Sequence, residues 1–282
     1  MMNDKYWEVV EANILLHSTM SDRYNATEPH FRPENVANVE ARLVEMIDSI
    51  KARSLLDLGC GTGFIIDIAK KYLQQITGVD VTQAMLDQVD VKGTCNITLI
   101  REDTGSVVLQ PESYDLATAY SFLHHLYDIT PTLNTAWKAL KKGGKFYVDL
   151  EPNYYFWQEL TKLNRSAPYS NILKREIESV CYKDEEIEKN FRLKKEIFNN
   201  AEFGKTQGGF KDEELIKILH QTGFRDVQFY FYWYLGQGFL INDPRYSKEE
   251  RFQYAKVMNE ILQQSLPMSK HLFKYLGFVA TK

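Results

Sequence analysis

Residues Leu55-Leu56-Asp57-Leu58-Gly59-Cys60-Gly61-Thr62-Gly63 place an acid and three alternate glycines between two apolar runs. Glycine admits positive φ and lets a ligand approach the backbone without a Cβ in the way. The free N–H groups that open a following helix then face that ligand. A dinucleotide fingerprint would need a third glycine at position 64, where Phe64 stands. Asp57 would repel a pyrophosphate but could pair with an ammonium, directly or through water. A nucleotide-like ligand with an amino-acid end therefore fits better than a diphosphate.

The elements that must position this loop follow from periodicity. Residues 54–58 read as a short buried strand and residues 64–69 as the start of a helix with an apolar face. Residues 76–80 read as a second strand ending in Asp80, followed by a helix over 81–91 that carries Met85 and Leu86. A third apolar run, 97–100, leads to Asp103, and the stretch 114–125 ends in His124 and His125. A helix from about 131 to 140 and the segment 141–149, with Gly143-Gly144 and Asp149, complete the series.

In this order the motifs resemble those of class I S-adenosylmethionine-dependent methyltransferases of the small-molecule type, with residues 114–125 in the place of the family's fourth strand and the loop beside the transferred methyl, and 141–149 in that of its glycine turn and fifth strand. The resemblance covers residues 53–152 well, and 210–229 and 273–281 more loosely. It implies an α/β fold, a Rossmann-like doubly wound sheet that is mostly parallel with its last strand antiparallel. It also implies S-adenosylmethionine as cofactor and S-adenosylhomocysteine as product. Carried over residue by residue, it assigns cofactor contacts to Asp57, Gly59, Cys60, Gly61, Gly63, Asp80, Val81, Met85, Asp103, Thr104 and Tyr120. Asp80 would accept both ribose hydroxyls, and Asp103 falls where the family contacts the adenine amino group. Similar enzymes close an N-terminal tyrosine over the cofactor's carboxylate end, and Tyr24 is the candidate.

Methyl transfer from a sulfonium is an in-line displacement, so alignment of the acceptor and exclusion of water do most of the work, on the order of 7–11 kcal/mol in well-oriented cases. A base is needed where the acceptor must lose a proton, most of all for an aliphatic hydroxyl or a carbon centre. His125 and His124 follow the fourth strand, and histidine is the residue type whose ordinary titration near neutrality suits that role. His17 and His30 could reach the same pocket, with local hydrogen bonding as the simpler reading. His30, Phe31, Tyr154, Trp157 and Trp233 are candidate substrate contacts. No compact His/Asp/Glu spacing suggests a metal, and none is expected.

The chain's 34 basic and 38 acidic residues give a net charge of −4, and residues 1–150 hold 14 basic against 20 acidic. Residues 174–196 mix seven of each sign, a solvated helix face and no footprint for nucleic acid. Three cysteines, Cys60, Cys95 and Cys181, show no metal-ligand spacing and suit a reducing compartment. Acids stand in the first eight residues where a leader would need an apolar core, and no apolar run is long enough to span a membrane. A cytoplasmic protein with a small-molecule acceptor and no nucleic-acid or membrane partner is expected.

Four regions are expected: a helical N-terminal cap and first helix (1–52), a cofactor-binding core (53–152), a helical insertion (153–209), and the C-terminal part of the sheet (210–282) with a second insertion at 236–270. The insertions read as a lid over the substrate, or alternatively as a homodimer interface or core cover. The segment 13–38, interrupted by Pro29 and Pro33, reads as short helices and a loop. Methyl transfer to O, N or C of a metabolite in an enclosed pocket is the expected function. The alternatives are a macromolecular methyltransferase, a nicotinamide oxidoreductase, or a non-catalytic nucleoside-binding or interaction protein.

Overall fold

The apolar segments become the centre of one sheet. The computed structural model describes residues 4–164, 166–180 and 184–282. Ser54–Leu58 (β1) is buried at every position, as a strand covered on both faces must be. It pairs in parallel with Gln75–Asp80 (β2) on one side and Tyr114–Tyr120 (β4) on the other. Asn96–Arg101 (β3) extends the sheet beyond β2, and Leu140–Pro152 (β5) continues it beyond β4. Arg225–Tyr234 (β6) and Phe273–Thr281 (β7) finish it, with β7 inserted between β5 and β6 and antiparallel to both. The order β3-β2-β1-β4-β5-β7-β6 is the doubly wound arrangement with a reversed last strand that the sequence implies.

Helices cover both faces. Pro33–Ile50 (α3) buries Val39, Leu43, Met46 and Ile47, one stripe at 3.6-residue spacing, against Ile65 and Ile66 of Phe64–Ala69 (α4). On the other face Thr130–Ala139 (α6) and Asp212–Thr222 (α12) pack Leu133, Ala136, Leu215 and Leu219 around Phe146 and Phe278. Gly223 ends α12 in the left-handed conformation, the stop expected of a C′ glycine.

Two local expectations change. Asp4–Met20 (α1) is one continuous 17-residue helix, because no glycine or proline interrupts it; the break comes at Tyr24–Thr27 (α2) and the Pro29–Phe31 turn. The helix expected over 81–91 shrinks to Gln83–Leu86 (α5). Asp90 instead accepts from the Lys92 N–H and the Lys70 ammonium, local polar contacts that compete with helix continuation.

The first insertion holds Tyr154–Lys162 (α7), Asn171–Val180 (α8), Asp184–Phe191 (α9), Lys195–Ala201 (α10) and Phe203–Thr206 (α11). α9 and α10 pack Ile187 and Phe198 against Ala12 and Leu16 of α1, so cap and insertion share a small core of their own. The second insertion is Gln237–Ile241 (α13) and Lys248–Gln264 (α14), the latter opened by a Ser247/Glu250 capping box. No helix among the described residues is long and apolar enough to cross a membrane.

Candidate cofactor and acceptor site

The strand order reverses between β1 and β4, and in such sheets the crevice beyond the carboxyl ends of the strands is where ligands bind. A cleft of about 1040 Å³, open mouth included, lies there. β1 delivers Asp57 and the glycine loop, β2 delivers Asp80 and Val81, β3 delivers Glu102 and Asp103, and β4 delivers Tyr120 and Ser121.

The glycine loop is pinned by the Gly59 and Cys60 N–H groups, which both donate to the Val79 carbonyl at 2.8 and 3.1 Å. Gly59 has φ +71°, and a Cβ there would sit 2.0 Å from the Phe122 ring. The loop therefore approaches the β4 turn as closely as it does only because position 59 carries no side chain. Asp80 holds the loop from the other side, accepting from Gly61 N–H at 2.9 Å and from Thr82 N–H at 2.8 Å. Burial pushes its carboxyl up, opposed by those N–H donors and by His17. A carboxylate has about four acceptor sites, so capacity for ribose hydroxyls remains.

Asp57 is buried, accepts from the Thr118 hydroxyl at 2.7 Å and is pushed up to about 7, chiefly by desolvation. Asp103 accepts from Gly105 N–H at 2.9 Å. The Tyr6 hydroxyl of α1 also bonds to Asp103, and burial followed by the Asp103 charge pushes that phenol up.

Of the residues the sequence singles out, Tyr24, His30, Asp57, Gly59, Cys60, Gly61, Asp80, Val81, Met85, Asp103, Thr104, Tyr120 and His125 line this one cleft. Gly63 stands behind it, capping α4 at φ +90° with a hypothetical Cβ only 2.9 Å from Val89. His124 also stands behind, its Nδ1 2.8 Å from Glu151. Phe31 backs His30 and Phe64 at ring distances of 4.7 and 5.0 Å without reaching the cleft lining.

Tyr154, Trp157 and Trp233 stand away from it. Lys211 sits 4.4 Å over the Tyr154 ring. Trp157 donates its indole N–H to the Lys274 carbonyl and is buried with Phe156 and Leu160. Trp233 packs edge-on against Tyr275 at 5.4 Å. α7 thus buries Trp157 in a small core at the outer end of β7, while Tyr154 and Trp233 are half-buried, and none of the three lines the cleft where the sequence suggested substrate contact.

The structure adds Tyr6, Val9, Val10 and Asn13 in their place. With His17, which the sequence already put within reach, they form one face of α1 over the cleft, at positions 3, 1, 3 and 4 apart. That helical spacing was the available signal.

The histidines have assignable tautomers. The Ala201 carbonyl can only accept, so His125 Nδ1, 2.7 Å away, carries the hydrogen and Nε2 keeps the lone pair. His17 Nδ1 donates in the same way to the Asn13 carbonyl at 2.9 Å. The two rings meet edge to face at 4.8 Å. Burial, then His124 and His17, hold His125 well below the usual imidazole range. His30 is buried, its Nδ1 has no partner, and desolvation lowers it to about 3.

A cradle closed to any Cβ at Gly59, an acid at the end of each of β1 and β2, and a third acid beyond β3 suit a nucleoside with an amino-acid tail. The fold is similar to that of solved S-adenosylmethionine-dependent methyltransferases. Residues 56–148 match the family model described as "Methyltransferase domain".

Among curated proteins, the chain is 30% identical over 117 residues to a ubiquinone biosynthesis O-methyltransferase of Hydrogenovibrio crunogenus, covering 39% of this chain and 48% of that one. It is 28% identical over 154 residues to the protein of the same name from Idiomarina loihiensis, covering 50% and 60%. The chain thus spans about half the length of these relatives.

Among solved structures, a SAM dependent methyltransferase from Archaeoglobus fulgidus aligns over 88% of this chain and 94% of its own, with 21% identity and a TM-score of 0.51. An S-adenosylmethionine dependent methyltransferase from Mesorhizobium loti aligns over 87% and 96%, with 16% identity and a TM-score of 0.51. These likenesses establish the fold.

Proposed function

We propose that the protein binds S-adenosylmethionine in the cleft at the β1–β4 reversal and transfers its methyl group to a small molecule. The observation that carries this reading is the convergence of Asp57, the Gly59–Gly63 loop, Asp80 and Asp103 on one cleft. When bound, the cofactor supplies a methyl group made electrophilic by its sulfonium. Asp80 would hold the ribose, Asp103 the adenine edge, and Asp57 the ammonium end, with Tyr24 closing over the tail.

The chain's own residues would then orient the acceptor and keep water out. α1, α2 and the Pro29–Phe31 turn cover the cleft with Tyr6, Asn13, His17, Tyr24 and His30. Such a roof admits a small acceptor more readily than a duplex or a folded protein surface. No Lys or Arg lines the cleft among the described residues, which further disfavours a polyanionic substrate. A hydroxyl acceptor would pass its proton to an imidazole lone pair, and the hydrogen bonds leave Nε2 of His125 or of His17 for that purpose. The names of the two curated relatives support oxygen as the methylated atom.

The test is transfer of labelled methyl from S-adenosylmethionine to a panel of hydroxyl-bearing and amine-bearing small molecules, with bulk protein and nucleic acid in parallel. Label in small products supports the reading; label only in macromolecules rejects it.

A further inference from the structure

Behind the roof of the cleft, the turn Leu123–His125 and the junction between α10 and α11 bring together three ligand-type side chains from distant parts of the sequence. One ligand atom from each of His124, His125 and Glu202 lies within 4.8 Å of the others. The two imidazole rings are 4.1 Å apart, and both are buried.

Each ring has its other nitrogen committed. His124 Nδ1 lies 2.8 Å from Glu151, a carboxylate that already accepts three backbone N–H groups. His125 Nδ1 donates to the Ala201 carbonyl at 2.7 Å. An imidazole whose donor nitrogen is tied to a carboxylate or a carbonyl is the usual form of a metal-ligating histidine, because that bond fixes the ring and aims the remaining lone pair.

The third ligand is held close by a separate feature. A Cβ on Gly204 would lie 2.9 Å from His124 Cα, so α11 can lie against the histidine turn only with glycine at that position. This contact places Glu202 beside both rings. Burial pushes the Glu202 carboxyl up, but the Lys205 ammonium leads the charges that more than offset it and hold it low. Glu202 Oε2 is 3.0 Å from the Lys205 ammonium. Glu28 is a second, half-buried acid beside the cluster, pushed up by desolvation and by Glu202.

We propose that His124, His125 and Glu202 form a binding site for one divalent first-row transition ion of the zinc type. Two neutral imidazoles and one carboxylate are the donor set such an ion takes, with a fourth position left open to the cleft that His125 lines. Magnesium and calcium prefer all-oxygen sets and fit less well. Two ligands at about 2.0–2.1 Å from one ion lie at most about 4 Å apart. The three side chains would close to that spacing around the ion, and Glu202 would exchange its Lys205 partner for the cation. With His125 so committed, His17 supplies the free imidazole lone pair on the cleft.

The site stands apart from the cofactor reading. It is tested by titrating the chelator-stripped full-length chain with zinc chloride by calorimetry, and with magnesium chloride in parallel. Cobalt(II) absorption serves as a coordination signature, and S-adenosylhomocysteine binding is measured on the same preparation.

One zinc per chain at micromolar concentration is expected, weakened at least ~10-fold in Glu202→Gln and tightened in Lys205→Met, which removes the competing ammonium. Cobalt should give the intense visible bands of a four-coordinate site in the wild type and lose them in Glu202→Gln. The proposal is overturned if the folded wild type takes up no zinc, or if Glu202→Gln binds it undiminished.

Discussion

Glu151, on β5, holds the turn that carries His124: its carboxylate accepts from the N–H groups of Phe122, Leu123 and His124 at 2.8–3.0 Å and meets His124 Nδ1 at 2.8 Å. One fully buried side chain thus fixes both the backbone after β4 and the ring behind the cleft. Removing it as Glu151→Ala strands three donors, and we expect a loss of about 3–5 kcal/mol in unfolding free energy. A denaturant titration with an unchanged slope checks this; a loss under about 1 kcal/mol would mean that water replaces the carboxylate.

Gly59 tests the fit of the loop. In Gly59→Ala the methyl meets the Phe122 ring and the backbone keeps φ +71°, so loop and ring must part. A stability cost of about 1–3 kcal/mol is expected together with at least ~10-fold weaker binding of S-adenosylhomocysteine. Unchanged affinity would separate the loop from the ligand.

Asp57 gives the pH dependence. Its folded value, raised to about 7, lies above the ordinary carboxylate value, so its contribution to the stability of the free protein is complete at acid pH and is lost as pH rises through about 7. A bound ammonium favours the ionised form, so nucleoside affinity should rise with pH across the same window and binding near neutrality should release protons. Calorimetry in two buffers of different ionisation enthalpy measures that release. Asp57→Asn should abolish the release and flatten the stability change.

His30 runs the other way. Lowered to about 3 by burial, it stays neutral in the folded state while the unfolded chain takes up a proton below about 6.5. Its share of stability is therefore lost as pH falls from about 6.5 towards 3. The imidazole C–H resonances of His30 should show no titration between pH 8 and pH 5. A midpoint near 6 would place the ring in water.

The core was legible because its signals are local. The glycine loop, Asp80 and the strands β1 to β5 each declare themselves within a few residues, and the matching pairings follow from their order. α1 was obscured because its cleft face mixes Tyr6, Asn13 and His17 with Val9 and Val10, which weakens an apolar stripe. The destinations of Tyr154, Trp157 and Trp233 depend on where α7 and β6 dock, which no local pattern encodes. Glu202 reaches the histidines only through the insertion's fold, so spacing along the chain could not have paired them. Cys181 lies outside the described residues.

The central claim is tested most directly by calorimetric titration of the full chain with S-adenosylhomocysteine, with NADH as control and Asp80→Ala as the site variant. Saturable binding of the nucleoside alone is predicted, weakened by about 1.5–3 kcal/mol in a variant whose thermal unfolding shows it folded. No binding to folded wild type, or equal binding by Asp80→Ala, would contradict it.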